Sequence, residues 1–237
     1  MDLSPPVVAA VIPALDEEAV IGAVVDALLR GGRVDQVIVV DNGSRDRTAQ
    51  AARDAGALVV SEPRRGYGRA CRSGVGAASG AGIILLLDGD GSDRPEDIPA
   101  LLDPLLRDEA DLVVGTRVAG LRQAGSMTPQ QLLGNALAGT IIRTLLGLAV
   151  TDLGPLRAIR RQQLLGLEMS EMTYGWSVEM VVKAARAGLR YREVPVGYRR
   201  RVGVSKVGGT VRGSVKAGVS ILSTIARHRA WRPEMPR

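Results

Sequence analysis

The chain has 237 residues, enough for one domain with a substantial core, and its single Cys and single His nearly exclude a Cys/His zinc site or a Ser-His-Asp triad. Its net charge of +6 favours anionic partners such as nucleotides, phosphates or acidic lipids. Because aromatic residues make up only 3% of the chain and no recognition motif is present, we expect no nucleic acid partner.

Short runs of Val, Ile and Leu alternate with helical patterns in the first half of the chain. The predicted strands span residues 7–12, 36–40, 58–60, 83–87 and 111–114, and the predicted helices span residues 17–29, 48–55, 69–78 and 95–107. Strands without polar alternation, separated by helices, indicate an α/β fold in which a mainly parallel sheet carries helices on both faces. Ligands of such folds bind at the carboxyl ends of the strands.

The pattern changes after residue 117. We predict a Gly-rich mobile loop at 118–128, helices at 130–146 and 177–187, and strands at 156–159 and 191–196, the last at a sheet edge because it contains Pro195. A basic amphipathic helix at 211–227 can pack on the sheet or lie on an anionic membrane surface. The expected division is a catalytic domain at 1–210, followed by this helix and a tail at 211–237.

The sequence predicts a cytoplasmic protein, with the inner face of the membrane as a peripheral site. A lone cysteine, Cys71, forms no intramolecular disulfide and fits a reducing compartment. No apolar stretch approaches the ~18 residues of a membrane span. The N-terminus also lacks the basic and apolar regions of a secretory signal.

Two carboxylates form the strongest chemical signal. Asp88 and Asp90 follow the most apolar predicted strand, and a turn at Gly89 lets both lean toward one site. Mg²⁺ and Mn²⁺ favour oxygen ligands and often share them with substrate phosphates. The pair therefore predicts a divalent-metal site, against the plainer alternative of an acidic turn that caps the next helix.

Two other loops are expected at the same edge. Asp41 ends the second strand and is free to accept hydrogen bonds from a ligand, whereas Ser44, Asp46 and Thr48 are assigned to capping the next helix. The loop at 63–69 combines glycines, a tyrosine ring and three arginines, so it can embrace a base and a diphosphate. A basic surface loop is the alternative for that segment.

The order of motifs along the chain is a further signal. Val-Ile-Pro-Ala-Leu-Asp-Glu-Glu (11–18), Val-Asp-Asn-Gly-Ser-Arg-Asp-Arg-Thr (40–48) and Asp-Gly-Asp (88–90) together resemble family 2 glycosyltransferases of the GT-A fold. Gly-Tyr-Gly (66–68), Gly-Thr-Arg (115–117), Val-Pro-Val (194–196) and Ser-Lys (205–206) resemble the subgroup that contains dolichyl- and polyprenyl-phosphate mannosyl- and glucosyltransferases. The match covers most of residues 7–210.

The resemblance implies roles for individual residues. The nucleotide-sugar-binding set is Pro13, Ala14, Asp16, Glu17, Asp41, Arg65, Gly66, Tyr67, Asp88, Gly89, Arg201 and Ser205. The metal ligands are Asp88 and Asp90, and the catalytic set is Asp90, Arg117, Glu179 and Lys206. Arg199 to Arg201, with Ser205 and Lys206, match a flexible segment that closes over the reacting phosphates.

The implied reaction is transfer of a hexose from a UDP- or GDP-linked donor, with inversion, to an acceptor such as a polyprenyl phosphate or a cell-envelope precursor. A hydroxyl acceptor needs a carboxylate base, for which Glu179 is the candidate, whereas a lipid phosphate is already anionic. Two alternatives stay open. A sugar-phosphate nucleotidyltransferase normally needs a Gly-rich signature after the first strand, which residues 13–17 lack, and a non-catalytic module would bind nucleotide sugars without turnover.

Overall fold

The computed structural model describes residues 5–202 and 222–233, which contain a seven-stranded sheet. Its strands are β1 (Val8–Ala14), β2 (Gln36–Asp41), β3 (Leu58–Ser61), β4 (Ile83–Leu86), β5 (Leu112–Thr116), β6 (Arg157–Arg160) and β7 (Tyr191–Pro195). Their order across the sheet is β3-β2-β1-β4-β6-β5-β7. All neighbouring strands pair in parallel except β6, which runs antiparallel to both β4 and β5. The predicted α/β class is confirmed.

Helices cover both faces of the sheet. They are α1 (Glu18–Arg30), α2 (Thr48–Asp54), α3 (Tyr67–Ala77), α4 (Ile98–Leu106), α5 (Pro129–Leu146), α6 (Arg161–Gly166) and α7 (Trp176–Arg186), with a 3₁₀ turn at Pro95–Asp97. A further helix covers residues 222–228. Within the part of the chain that the structure describes, no helix combines the length and apolarity needed to span a bilayer.

Alternation along β1 divides the core into two layers, because successive strand residues point to opposite faces. Ile12 packs with α1 and α4 on one face, and Val11 packs with α3 and α7 on the other. A third, smaller cluster joins α5 to α7 through Ile142 and Val181. Both faces of the central strands are therefore buried, which explains why these strands are apolar throughout.

Most predicted elements are confirmed within a few residues. The predicted edge position of the 191–196 strand is also confirmed, since β7 ends the sheet. α6 was not predicted, and the predicted helix at 95–107 begins instead as a 3₁₀ turn. Of the predicted helix at 211–227, residues 211–221 lie outside the described residues, and the rest belongs to the helix at 222–228.

Candidate active site

The carboxyl ends of three adjacent parallel strands define the candidate site. Ala14 ends β1 opposite Asp41, which ends β2, and Val11 of β1 pairs with Leu86 at the end of β4. The loops that follow these strands therefore meet at one edge, as predicted. Pro13 and Ala14 lie within β1 at this edge, and Ala14 is buried.

The loops after β1 and β2 are tied together by hydrogen bonds. The Asp16 amide donates to Ser44 Oγ (3.0 Å), and the Glu17 amide donates to Thr48 Oγ1 (2.8 Å). The Arg45 amide donates in turn to Asp16 Oδ1 (2.7 Å). The capping role predicted for Ser44 and Thr48 is therefore wrong, because their hydroxyl oxygens accept from the neighbouring loop.

Asp46 and Asp41 organise the second loop itself. Asp46 Oδ1 accepts from the Thr48 amide at the start of α2 (3.0 Å), so Asp46 alone acts in the predicted capping role. Asp41 Oδ1 accepts from the Ser44 amide (3.1 Å). Gly43 makes the turn between them with a φ of +81°, a conformation that glycine adopts without strain. Hydrogen bonds within and between the two loops therefore hold them in place beside the ends of β1 and β2.

Asn42 holds the loop after β3, although no local pattern in the sequence marks this residue as important. This buried amide donates to the carbonyl oxygens of Glu62 (2.8 Å) and Arg64 (2.9 Å) and accepts from the Gly66 amide (2.8 Å). Arg65 donates to the Gly43 carbonyl (3.2 Å), so it reaches back over the second loop. Arg65 therefore lies at the predicted edge, beside the loop that contains Asp41.

The Gly-Tyr-Gly motif is packed against another segment of the chain. A Cβ at Gly66 or Gly68 would overlap carbonyl oxygens of Met172 and Glu171, so both positions require glycine. Tyr67 packs against the core layer formed with α3 and α7, and burial raises its pKa. The motif therefore packs the start of α3 against residues 171–173, and the charges of Asp88 and Asp93 also act on the Tyr67 hydroxyl.

Three carboxylates gather after β4: Asp88, Asp90 and the unpredicted Asp93. Asp93 Oδ2 accepts from the Asp88 amide (3.1 Å), whereas Asp93 Oδ1 is buried without a hydrogen-bond partner among the described residues. Asp90 Oδ1 accepts from the amide (2.9 Å) and the hydroxyl (2.5 Å) of Ser92. Gly89 allows this crowding, since a Cβ there would lie 3.2 Å from Ile12 and Ile21 side chains.

Burial and mutual repulsion make this cluster electrostatically unsatisfied. Burial, followed by the charges of Asp90 and Asp93, raises the pKa of Asp88 to about 8. Burial and the charge of Asp90 raise the pKa of Asp93 to about 7, although the hydrogen bond from the Asp88 amide opposes the shift. A site that holds uncompensated carboxylates at neutral pH is suited to a cation.

The segment after β7 supplies one cation. Arg201 forms a short ion pair with Asp90 Oδ2, and the Val202 amide donates to the Asp90 carbonyl (3.1 Å). Arg201 therefore lies against the acidic cluster, and its role in binding the donor phosphates stays a prediction. Ser205 and Lys206, predicted for the same segment, lie outside the described residues.

Arg117 is held by a carboxylate that the sequence did not single out. Its Nε and one terminal nitrogen donate to the two oxygens of Asp152, each at 2.7 Å, and Asp152 is fully buried. Asn135 donates to the same carboxylate (2.6 Å). The Arg117 guanidinium also lies 4.8 Å from the centre of the Tyr198 ring. Arg117 is thus held in one orientation by Asp152.

Glu179 is fully buried, and its carboxylate is occupied by donors. Ser170 donates to it through its amide (2.9 Å) and its hydroxyl (2.6 Å), the Glu171 amide donates at 2.7 Å, and Lys183 Nζ lies 2.9 Å away. Burial alone would raise its pKa, but these hydrogen bonds produce a net lowering. A carboxylate so engaged is a poor proton acceptor, and its contacts are those of a structural residue that holds the 168–171 loop.

Arg157 is another functional candidate that sequence reasoning missed. It begins β6 beside the end of β4, is 1% exposed, and donates to the carbonyl oxygens of Ser177 (3.1 Å) and Gly154. Burial lowers its pKa. An arginine within an apolar strand was the available signal, but only the topology places it at this edge.

A mainly parallel sheet whose carboxyl edge gathers Asp88 and Asp90 between loop-rich flanks has the architecture of the GT-A glycosyltransferases. The profile of Glycosyl transferase family 2 matches residues 9–166. The chain therefore belongs to glycosyltransferase family 2, and the predicted family is confirmed.

Relatives and a solved structure agree with this assignment. The chain is 41% identical to an uncharacterised glycosyltransferase of Mycobacterium tuberculosis, over 89% of this chain and 94% of the relative. It is 33% identical to a dolichyl-phosphate hexose transferase of Haloferax volcanii, over 93% of this chain and 95% of the relative. A solved structure similar to this chain is the crystal structure of glucosyl-3-phosphoglycerate synthase from Mycobacterium tuberculosis in complex with Mn²⁺, UDP-glucose and phosphoglyceric acid. The two structures superpose with a TM-score of 0.77 at 26% sequence identity, and the match covers 97% of this chain and 82% of that chain.

Proposed function

We propose that this protein transfers a hexose, with inversion, from a UDP- or GDP-linked donor to a polyprenyl phosphate or related cell-envelope precursor, using Mg²⁺ or Mn²⁺. The observation that supports this most directly is the cluster of Asp88, Asp90 and Asp93 at the carboxyl end of the central strand β4, in which Asp90 and Asp93 are buried. The solved relative that contains Mn²⁺ and UDP-glucose is consistent with the proposal.

The donor is assigned to the loops after β1, β2 and β3. Asp16, Glu17 and Asp41 bring carboxylates and backbone groups to this side, and Arg65 brings a guanidinium. Hydrogen bonds hold these loops together before a ligand binds, which lowers the entropic cost of binding. Their polar groups suit a nucleoside, with the diphosphate directed toward the acidic cluster.

The acidic cluster fits a divalent cation. Asp93 Oδ1 has no hydrogen-bond partner among the described residues, and burial together with repulsion by neighbouring carboxylates raises the pKa of both Asp88 and Asp93. The described residues hold no group of three His, Cys, Asp or Glu side chains arranged as a complete metal cage. Asp88 and Asp90 would therefore share the ion with the donor phosphates, as is usual for Mg²⁺. The bound ion would offset the charge that develops on the leaving diphosphate.

The chain's own cations complete the reaction site in this proposal. Arg201 lies on Asp90 and can turn to the phosphates once that carboxylate has another partner. Arg117, fixed by Asp152, offers a preorganised positive group that does not need to be reoriented. Lys206 is assigned to the same phosphates from its sequence position alone.

An acceptor that is already anionic suits the contacts of Glu179. A hydroxyl acceptor would need a general base, and Glu179 is occupied by Ser170, Glu171 and Lys183. A phosphate acceptor needs no proton removed. The relative that is a dolichyl-phosphate hexose transferase supports this choice. If the acceptor is a lipid phosphate, our proposal also includes a cytoplasmic location at the inner face of the membrane.

The two alternatives are less well supported. The family profile, which covers residues 9–166, is that of glycosyl transferases, so it does not favour a nucleotidyltransferase. A non-catalytic binding module would not require carboxylates with raised pKa at the central strand. Both alternatives predict no hexose transfer to any acceptor, which separates them from the proposal.

Thermal unfolding with UDP or GDP, in the presence and absence of Mn²⁺, tests the metal and donor site. We expect one nucleotide to raise the unfolding temperature only with Mn²⁺, because ligands that bind the folded state stabilise it. Asp88→Ala should remove most of that increase, whereas the exposed control Asp26→Ala on α1 should retain it. Equal stabilisation of both variants would refute the proposed metal site, and donor hydrolysis that is abolished by a chelator would exclude the non-catalytic module.

A further inference from the structure

Three segments meet beside the acidic cluster and enclose a cleft of about 420 Å³. Tyr198 pairs as an isolated bridge with Asp93 on one side and with Arg122 on the other. The cleft is lined by Arg94, Leu121, Arg122, Gln123, Tyr198 and Arg199, and we call it the arginine cleft. Backbone hydrogen bonds fix its walls, including Gln123 amide to Tyr198 carbonyl (2.9 Å) and Arg199 amide to Ser92 carbonyl (2.9 Å).

The cleft has more positive than negative charge. Glu96 is the one carboxylate of the described residues with an ion-pair contact to its arginines, at 3.1 Å from Arg199 and 3.7 Å from Arg94. Arg122 has no ion pair within 5–202 and 222–233, and its guanidinium donates to the Met127 sulfur (3.7 Å). Arg94 Nε is buried without a hydrogen-bond partner there. Three guanidiniums facing one carboxylate leave a site for an anion.

The position of the cleft separates it from the proposed donor loops. The donor loops follow β1, β2 and β3, whereas the cleft is formed by segments that follow β4, β5 and β7. The acidic cluster after β4 lies between the two halves of the edge. An anion in the cleft would therefore face the donor across Asp90 and Asp93.

The guanidinium groups of the cleft determine which kind of anion it can bind. Guanidinium forks match the paired oxygens of a phosphate, and a phosphomonoester carries up to two charges for this excess of arginines. Leu121, which is 83% exposed, adds an apolar surface at the same cleft. An acceptor that joins a phosphate to an organic chain matches both features.

We propose that the arginine cleft binds the phosphomonoester of the acceptor. That the ligand is the acceptor rests on the proposed transferase function, whereas anion binding by the cleft is a separate property. The phosphate can belong to a lipid or to a soluble molecule, since the arginines recognise the group that both share. Bound there, its oxygen would face the donor sugar across the acidic cluster.

Isothermal titration of the full chain, loaded with UDP and Mn²⁺, distinguishes the two sources. The probes are farnesyl phosphate for a lipid and 3-phosphoglycerate for a soluble acceptor, with farnesol and glycerate as matched compounds without phosphate. We expect at least one phosphate probe to bind and its matched compound to bind at least ~10-fold more weakly, because charge-assisted hydrogen bonds are lost. If neither phosphate probe binds, the inference is overturned.

The double variant Arg94→Gln and Arg122→Gln tests the cleft itself. It should weaken binding of the phosphate probe at least ~10-fold, while UDP with Mn²⁺ still raises its unfolding temperature. The control is Arg30→Gln together with Arg107→Gln, two exposed arginines outside the cleft, and it should bind as the wild type does. Unchanged phosphate binding by the double variant overturns the inference.

Transfer assays keep the two proposals apart. If the wild type binds phosphate through these arginines but transfers no sugar, the transferase function fails and the cleft stands. If sugar transfer occurs and the double variant leaves the acceptor KM unchanged, the cleft assignment fails and the transferase function stands. If transfer occurs and the KM rises with little change in kcat, both are supported.

Discussion

Asp152 holds Arg117 in a buried ion pair, and this makes it a residue on which the site depends. Both partners are almost removed from solvent and share two hydrogen bonds of 2.7 Å. Asp152→Asn keeps the shape but leaves a buried guanidinium without a counter-charge. We expect it to lower the free energy of unfolding by roughly 3–5 kcal/mol, measured by urea denaturation.

The matched control is Asp108→Asn, which also removes a carboxylate that pairs with arginine. Asp108 lies 2.7 Å from Arg190 and 2.9 Å from Arg160, but its side chain is 74% exposed. Solvent screens such pairs, so the control should lower the free energy of unfolding far less than Asp152→Asn does. Similar losses in the two variants would contradict the special role of burial at Asp152.

The raised pKa values predict a pH dependence of stability for the metal-free protein. An unfolded Asp loses its proton near pH 4, whereas burial and the charges of its neighbours raise the pKa of Asp93 to about 7 and that of Asp88 to about 8. Between these values the folded state binds more protons than the unfolded state. Stability contributed by these groups is therefore lost as the pH rises from about 4 to about 8.

Asp93→Asn removes one of the two titrating groups and tests this sign. We expect the difference in unfolding temperature, variant minus wild type, to be larger at about pH 8 than at about pH 5, because the variant has no proton to lose at residue 93. Thermal scans in a chelator, with Asp54→Asn on the exposed surface as control, measure the difference. A relative change of the opposite sign would show that Asp93 is not protonated in the folded state at neutral pH.

At the scale of single residues, the sequence located the site but not its internal contacts. Asp41, Asp88 and Asp90 were predictable because polar residues that follow apolar strands must lie at one edge of a parallel sheet. Asn42 and Asp152 were not, because their importance depends on partners about 20 and 35 positions away along the chain. No local pattern encodes such partners.

At the scale of elements, α3 illustrates how closely a helix start can pack. A Cβ at Gly68 would overlap the backbone of Glu171, whereas a Cβ at Gly76, on the same helix, would meet nothing within 4 Å. Gly68→Ala should destabilise the protein by about 1–3 kcal/mol, because backbone cannot move aside easily. Gly76→Ala should stabilise it by about 0.5–1 kcal/mol through helix propensity.

Chemical denaturation of both variants gives the comparison. Both variants replace a glycine of α3 by alanine, so any general effect of alanine on the stability of this helix is present in both variants. Tolerance of Gly68→Ala would show that α3 does not contact residues 171–173 as described, and destabilisation by Gly76→Ala would show that the space around Gly76 is not open.

Secondary structure was predictable from the sequence where elements are long or fully apolar. β4 and α1 were predicted within one residue at each end, since runs of Ile and Leu and a periodic apolar face are strong local signals. α6 was missed because six residues carry too little periodicity. The start of α3 was placed two residues late because Gly66 and Gly68 resemble loop residues, although their packing requires glycine.

At the scale of the molecule, the sheet order predicts where the structure is most protected. β4 and β6 lie in the interior of the sheet, whereas β3 and β7 lie at its edges. Native-state hydrogen exchange should therefore be slowest in β4 and β6 and faster in β3 and β7, because edge strands open without disrupting the core. Uniform protection across all seven strands would contradict this topology.

The antiparallel strand β6 has a consequence for how the chain is made. β5 leaves the ribosome before either of its neighbours, because it pairs only with β6 and β7, which come later in the sequence. Until β6 is synthesised, β4 and β5 both present unpaired edges that are prone to wrong association. We therefore expect the sheet to stay incomplete during synthesis until β6 has emerged, because only then can β5 be joined to β4.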